Sequence, residues 1–176
     1  CGRPRGIPKD LGAFLDALEA PLVLVGFGGI GLALGSDLFQ LWPHHHFLLP
    51  ASAGASSQST LSALANVTVL PEGLRPLDVL GRCERFVGKP GFSSFCEAMA
   101  QGVGLHVVER SGFAEASVLM EGLRRHGHHR CLSRGELDSG AWQLDQPLLE
   151  PGDALLSASG ASEAAQALVD WAAVHF

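Results

Sequence analysis

Short segments made up largely of apolar residues recur along the chain, and segments with helical periodicity lie between them. A continuous apolar run is typical of a parallel strand that is buried on both faces. The predicted strands lie at residues 22–25, 46–49, 67–70, 105–108 and 129–132, with a further one in the segment that begins at Glu84. Strands that alternate with helices predict an α/β fold, namely a Rossmann-like, three-layer α/β/α domain with a mainly parallel sheet of about six strands.

Helices are predicted where apolar residues fall at helical spacing. The first is expected over residues 10–19, with Asp10 placed to cap it. The others are expected at about 32–41, 75–83, 92–102, 114–126 and 161–174, and the low-complexity residues 51–60 are expected to form a surface loop. At 176 residues the chain suits one domain. We assign residues 10–176 to that domain and residues 1–9, rich in glycine, proline and cations, to a linker.

The charge balance limits the kind of partner that the chain can have. The formal net charge is −6, with 12 Lys and Arg against 18 Asp and Glu. A chain without an overall basic surface is a poor ligand for nucleic acid or for an anionic membrane. We therefore expect no nucleic-acid partner, and any anion must be bound by a local group of residues.

The cysteines and the hydropathy indicate the compartment. Cys1, Cys83, Cys96 and Cys131 show no paired spacing, and the last three lie in apolar or helical contexts that suit reduced thiols. No secretory leader is visible at the start, and no apolar run approaches the roughly 20 residues of a spanning helix. We expect a cytoplasmic protein without a transmembrane segment.

A glycine-rich turn follows the first predicted strand. Residues 26–31 read Gly-Phe-Gly-Gly-Ile-Gly, which fits the G-x-G-x-x-G pattern of dinucleotide sites. Such a site also needs an acidic residue at the end of the second strand, to hold a ribose hydroxyl. Residues 50–52 are Pro-Ala-Ser and contain no acid. The pattern favours a turn whose amides approach another ligand over an NAD site, and a simple strand-to-helix turn remains the alternative.

A second candidate site follows the fourth strand. Gly88-Lys89-Pro90-Gly91 precedes a helix that is predicted to begin near Phe92. The first amides of a helix have no partner within it, and they carry a partial positive charge that suits a phosphate group. Lys89 adds a cation if it is not simply a solvated lysine, and Glu97 offers a carboxylate one turn later. These groups together would suit a nucleoside diphosphate.

Two details of this helix depend on where it begins. The apolar residues Phe92, Phe95, Cys96 and Met99 are predicted to face the core. Ser94-Phe95-Cys96-Glu97 also fits the S-x-x-E pattern of a capping box, in which Glu97 would bond back to the helix start rather than to a ligand. The spacing alone leaves both roles of Glu97 open.

Histidines cluster at residues 44–46 and 126–129. Neither cluster shows a helical pair at i, i+4 or a C-x-x-C partner, which are typical of zinc sites. We expect no metal there and no bound cofactor. No G-x-S-x-G segment occurs, which removes the simplest hydrolase.

The segment from Gly88 to Phe92, the pair Glu97-Ala98 and residues 109–115 (Glu-Arg-Ser-Gly-Phe-Ala-Glu) carry a resemblance to a known family. They resemble the C-terminal, donor-binding domain of GT-B glycosyltransferases. The likeness is strongest to the glycosyltransferase-like proteins related to the N-terminal part of L-arabinokinase. It extends from the turn after the first strand to the last helix, so it covers most of the chain.

The resemblance implies a role for each candidate residue, with the catalytic residues unknown. Residues after the first strand would lie over the donor diphosphate or sugar, those at the central helix start would cradle phosphates, and Glu97 would hold the ribose. Residues of the later loop would approach the transferred sugar. The implied donor-binding set is Phe27, Gly28, Gly29, Lys89, Gly91, Phe92, Ser93, Ser94, Glu97, Arg110, Phe113 and Glu115.

The same resemblance implies the function. The chain would be the donor-binding half of a transferase that moves a hexosyl group from a nucleotide sugar, such as a UDP-sugar, to an unknown acceptor. The acceptor-binding N-terminal domain of the family has no counterpart in these residues, so this chain is expected to be inactive alone. A GT-B-like nucleotide-sugar hydrolase or epimerase, and a non-catalytic nucleotide-binding module, are the alternatives.

Overall fold

The computed structural model describes residues 2–28, 34–52, 58–108, 110–156 and 159–175, with only the backbone of residues 58 and 59. Six strands form one sheet in the order β3-β2-β1-β4-β5-β6, and every neighbouring pair is parallel. The predicted Rossmann-like α/β fold is therefore confirmed. The strands are β1 (Leu22–Gly26), β2 (His46–Leu49), β3 (Val67–Val69), β4 (Arg85–Gly88), β5 (Gly104–Val108) and β6 (His129–Leu132).

The helices follow the predicted alternation, with several differences in length. They are α1 (Lys9–Asp16), α2 (Ser36–Gln40), α3 (Gln58–Leu61), α4 (Pro76–Leu80), α5 (Phe92–Ala100), α6 (Ala116–His126), α7 (Arg134–Ser139) and α8 (Gly160–His175). Most are shorter than predicted, and α3 and α7 were not predicted. The predicted loop at 51–60 lies partly outside the described residues, as do the first residues of the helix expected before residue 41.

The apolar residues of the strands divide between two faces of the sheet. On one face Leu24, Leu48 and Leu105 pack with residues of α1, α4, α5 and α6. On the other face Val23, Phe47 and Val87 pack with α2, α7 and the fully buried Trp142. The sheet is thus covered on both sides, which is why its strands are apolar at nearly every position.

The last helix differs from the others in its packing. The predicted alanine-rich helix is present as α8, but none of its residues is buried. Leu168, Val169, Trp171 and Val174 are all exposed. This helix therefore contributes nothing to the core of the described domain.

The three described cysteines are thiols, as expected. Cys83 is buried, Cys96 and Cys131 are half-buried, and none of the three forms a disulfide. Burial raises the pKa of the Cys83 thiol to about 12. No helix in the described part of the chain is long and apolar enough to cross a bilayer.

Candidate functional site

The strand order places a topological switch point between β1 and β4. The chain runs outward from β1 through β2 to β3, and then returns to β4 on the other side of β1. Ligands of such sheets bind at the carboxyl ends of the strands at this point. The carboxyl ends of β1 and β4 meet where Gly26 pairs with Gly88, so the two loops that follow these strands define the candidate site.

Two glycines allow these loops to approach each other. A Cβ at Gly88 would lie 2.7 Å from the carbonyl oxygen of Gly26, which is closer than real Cβ atoms approach. Gly28 has a φ of 61°, a left-handed conformation that favours glycine. A Cβ there would lie 3.7 Å from Nζ of Lys89. The Lys89 ammonium therefore lies beside the turn after β1, and Gly29 falls outside the described residues.

Helix α5 begins directly at this edge. Its N-cap is Gly91, in an extended conformation with φ −161° and ψ 129°, and no side chain caps it. The first intrahelical bond runs from the Phe95 amide to the Gly91 carbonyl, at 3.0 Å. The amides of Phe92, Ser93 and Ser94 precede that bond, so they have no acceptor within the helix. The start of α5 thus has the geometry of an anion-binding site.

Phe92 does not face the core as the periodicity predicted. Its exposed fraction is 63%, whereas Phe95, Ala98 and Met99 are buried. Phe92 is the first residue of α5, and side chains of a helix lean toward its N-terminus. Its ring therefore lies at the edge of the sheet, beside the candidate site, rather than over the strands.

The capping-box interpretation of Glu97 is wrong. Since α5 begins at Phe92, Ser94 is the third helical residue and not the N-cap. Glu97 is half-buried, and within the described residues no donor forms a hydrogen bond with its carboxylate. Its backbone oxygen accepts from Nε2 of Gln101 at 3.3 Å. The carboxylate therefore has its hydrogen-bonding capacity available.

The loop after β5 brings a second cation to the site. The guanidinium of Arg110 lies 4.5 Å from the ring centroid of Phe113, in a cation–π contact. The pKa of Lys89 is lowered by burial and then by the positive charge of Arg110. The two cations are therefore close enough to repel, which an anion between them would relieve.

Glu115 follows Arg110 and Phe113 in the loop after β5. It is the N-cap of α6 and is exposed, and its side chain makes no hydrogen bond or ion pair within the described residues. The structure thus brings together Gly28, Lys89, the start of α5 and Arg110, and the Glu115 carboxylate, like that of Glu97, has its hydrogen-bonding capacity available.

Sequence reasoning missed Arg75 and Asp78 at the start of α4. Arg75 Nη2 lies 2.6 Å from Asp78 Oδ1, and α4 follows the carboxyl end of β3. Proline at the first helical position and an acid at the third are signals of a helix start, and Pro76 and Asp78 supply both. The pair lies at the same edge of the sheet as Lys89.

The histidine clusters have local partners on the opposite edge of the sheet. His46 shares a hydrogen bond with the Thr68 hydroxyl at 2.8 Å, and Nδ1 of His129 donates to the Gly127 carbonyl at 2.9 Å. Both residues begin their strands, so they lie far from the carboxyl ends. Within the described ranges no group of three or more His, Cys, Asp or Glu residues is placed to hold a metal.

No family model matches the chain, and no curated protein is significantly similar to it in sequence. Its structure is similar to a UDP-glucosyltransferase from Polygonum tinctorium, with 21% identity, a TM-score of 0.52 and coverage of 80% of this chain and 35% of that one. It is also similar to UGT89C1 of Arabidopsis thaliana, with 18% identity, a TM-score of 0.54 and coverage of 83% and 38%. UGT89C1 in complex with UDP matches with 18% identity, a TM-score of 0.52 and coverage of 77% and 37%.

The described residues thus form a Rossmann-like α/β domain with cations and free helix amides at its switch point. This is the fold of GT-B glycosyltransferase domains. The chain spans 35% to 38% of the length of the transferases that it matches, so the similarity covers one part of those proteins.

Proposed function

We propose that this chain is the donor-binding domain of a GT-B glycosyltransferase, which transfers a hexosyl group from a nucleoside-diphosphate sugar to an acceptor. The observation that carries the proposal is the convergence of Lys89, Arg110 and the uncapped start of α5 at the β1/β4 switch point. The match to UGT89C1 in complex with UDP supports the same ligand class. The narrower relationship to the L-arabinokinase-related proteins is proposed on the sequence resemblance alone.

The diphosphate would occupy the start of α5. The amides of residues 92–94 and the Lys89 ammonium would donate to its oxygens, with Gly28 allowing close approach from the other loop. During transfer, negative charge develops on the leaving diphosphate as the bond to the anomeric carbon breaks. Fixed donors aimed at that charge lower the barrier. Lys89 and the α5 amides are assigned this role.

Glu97 would bind the ribose. A carboxylate without an internal donor can accept hydrogen bonds from both hydroxyls of the diol. Arg110, Phe113 and Glu115 would approach the transferred sugar from the loop after β5, and Phe27 would cover it from the loop after β1. The acceptor would be held by a domain that these residues do not supply. We therefore expect donor binding by this chain alone, without transfer.

Calorimetry and thermal unfolding with UDP, ADP, GDP and dTDP test the proposal directly. We expect at least one of them to bind and to raise the melting temperature by mass action. Lys89→Ala should weaken that binding by about tenfold or more, because a charge-assisted hydrogen bond contributes roughly 1.5–3 kcal/mol and about 1.4 kcal/mol is tenfold in affinity. Arg124→Ala is the matched control, since it removes an exposed cation from α6, away from the switch point. A folded chain that binds none of the four nucleotides would disprove the donor site.

A further inference from the structure

The segment of residues 2–8, which we call the N-terminal strap, is docked against the start of α4. The Arg5 amide donates to Asp78 Oδ1 at 2.7 Å, and Arg75 Nη2 donates to the Arg3 carbonyl at 2.8 Å. Ile7 is half-buried and packs against the core on the face of the sheet that α1 and α4 cover. Because α4 starts at the carboxyl edge of the sheet, the strap lies along the edge that holds the candidate site.

Asp78 fixes the strap through a carboxylate whose hydrogen-bonding capacity is fully used. Its oxygens accept from the Arg75 amide and Nε, each at 3.1 Å, and from Arg75 Nη2 at 2.6 Å, in addition to the Arg5 amide. Its side chain is only 2% exposed. The hydrogen bond from Arg75 holds the pKa of Asp78 well below its usual range. The carboxylate is thus a permanent anchor at neutral pH.

Glu97 lies on α5, the helix that packs beside α4. Helices α4 and α5 lie side by side, and a Cβ at Gly81 would stand 2.5 Å from the Gln101 side-chain oxygen. The pKa of Arg75 is raised by its hydrogen bond to Asp78 and further by the negative charge of Glu97. The strap and the Arg75–Asp78 pair therefore lie next to the helix that carries Glu97.

We propose that the N-terminal strap is a wall of the nucleoside half of the donor site, and that Arg75 is the positioning residue that holds it beside Glu97. This inference rests on the proposed function, which places the ribose at Glu97. The diphosphate half is formed by Lys89 and Arg110, whereas the strap is held by Arg75 and Asp78, and within the described residues no hydrogen bond joins the strap to Lys89 or Arg110. The strap therefore affects recognition of the nucleoside and leaves recognition of the diphosphate alone.

The test compares two ligands on the intact chain and four variants. The first ligand is the nucleotide that binds most tightly among UDP, ADP, GDP and dTDP, and the second is inorganic diphosphate. Calorimetry measures the dissociation constant of each. A chain that lacks residues 1–6 keeps the Arg75–Asp78 pair, and its nucleotide dissociation constant should rise about fivefold, the loss expected for one or two hydrogen-bonded contacts. The constant for inorganic diphosphate should stay within about twofold.

The Arg75→Lys variant tests the positioning role of Arg75. Lysine keeps the charge but cannot reproduce the two-pronged bond of arginine to Asp78, so we expect the same split between the two ligands. Arg125→Lys is the matched control, because it alters the equivalent pair with Asp153 at the far end of α6, where Nε and Oδ2 lie 2.6 Å apart. This control should change neither constant.

The outcomes separate the two proposals. If the intact chain binds neither ligand, the proposed function fails and the inference fails with it. If the intact chain binds and Lys89→Ala weakens both ligands, but removal of the strap changes neither, the donor site stands and the strap inference is wrong. An equal loss for both ligands in the truncated chain also overturns the inference, because it would show general damage to the edge.

Discussion

Lys89 Nζ lies beside Gly28, where an added Cβ would stand 3.7 Å from the ammonium nitrogen. This contact joins the loop after β1 to the loop after β4 directly above the paired strand ends. It depends on the left-handed backbone of Gly28, whose φ is 61°. The lysine thus lies beside a glycine that is 61 residues earlier in the chain.

We expect Gly28→Ala to impair both stability and binding. A left-handed conformation costs a residue with a Cβ roughly 1–2 kcal/mol, and the new methyl group would lie in van der Waals contact with the Lys89 ammonium and cover part of it from a ligand. Urea unfolding and nucleotide calorimetry measure the two effects. Gly102→Ala is the control, since Gly102 has a φ of 70° with no atom within 4 Å of an added Cβ. It should lose similar stability while binding stays unchanged, and a parallel loss of binding there would argue against a specific role for Gly28.

Measurements of stability and binding on a variant and its control also separate a ligand-binding role of Glu97 from a helix-capping role. Glu97→Ala should raise the nucleotide dissociation constant about tenfold and leave the free energy of unfolding within about 0.5 kcal/mol, because the side chain has no structural hydrogen bond.

Glu136→Ala is its counterpart, since Glu136 does belong to a capping box, with Oε2 accepting from the Ser133 amide at 2.7 Å. It should cost about 1 kcal/mol of stability and leave binding unchanged. If Glu97→Ala destabilises the domain as much as Glu136→Ala, the Glu97 side chain stabilises the fold and the ligand-binding role is not supported.

The comparison of Glu97 with Glu136 also shows which features of the fold can be predicted from the sequence and which cannot. Both segments read S-x-x-E, yet only Ser133 is an N-cap. The pattern cannot decide where a helix starts, because that depends on where the preceding strand ends and how the loop leaves the sheet. The six strands were predictable, since burial on both faces requires apolar residues throughout.

Other features could not be predicted from the sequence, because they depend on where a helix begins or on contacts between residues far apart in the chain. Phe92 was placed in the core by periodicity, although it stands at the open edge of the sheet. The Arg5 amide meets Asp78 across 73 positions. No local pattern predicts such a contact. The candidate site was partly predictable for the opposite reason, since Lys89 and Gly91 adjoin a strand end and a helix start.

Acid should destabilise the fold through His106. This residue is fully buried in β5, Nδ1 donates to the Trp142 carbonyl at 2.9 Å, and Nε2 has no partner within the described residues. Burial, with a further contribution from Arg85, lowers its pKa from 6.5 to about 4. The unfolded chain therefore binds a proton more readily than the folded one. The stability present above pH 6.5 should fall as the pH drops toward 4, by up to about 3 kcal/mol.

Urea unfolding followed by tryptophan fluorescence at pH 7 and pH 5 measures this loss. His106→Asn retains a donor for the Trp142 carbonyl but cannot titrate, so it should flatten the pH dependence even if it lowers stability at pH 7. An unchanged slope in that variant would assign the acid sensitivity elsewhere, for example to His45 or His46, whose pKa values burial also lowers.

Removal of α8 should leave the domain folded. The helix spans Gly160–His175 and buries none of its residues, so its deletion removes no side chain from the core. We expect the free energy of unfolding to change by less than about 1 kcal/mol and nucleotide binding to persist. Leu123→Ala gives the scale for a real core loss, since Leu123 is fully buried in α6 and its truncation should cost about 2–5 kcal/mol. A deletion as costly as Leu123→Ala would mean that α8 packs on the domain in solution. A deletion without cost would leave the exposed face of Leu168 and Trp171 without a role in the fold.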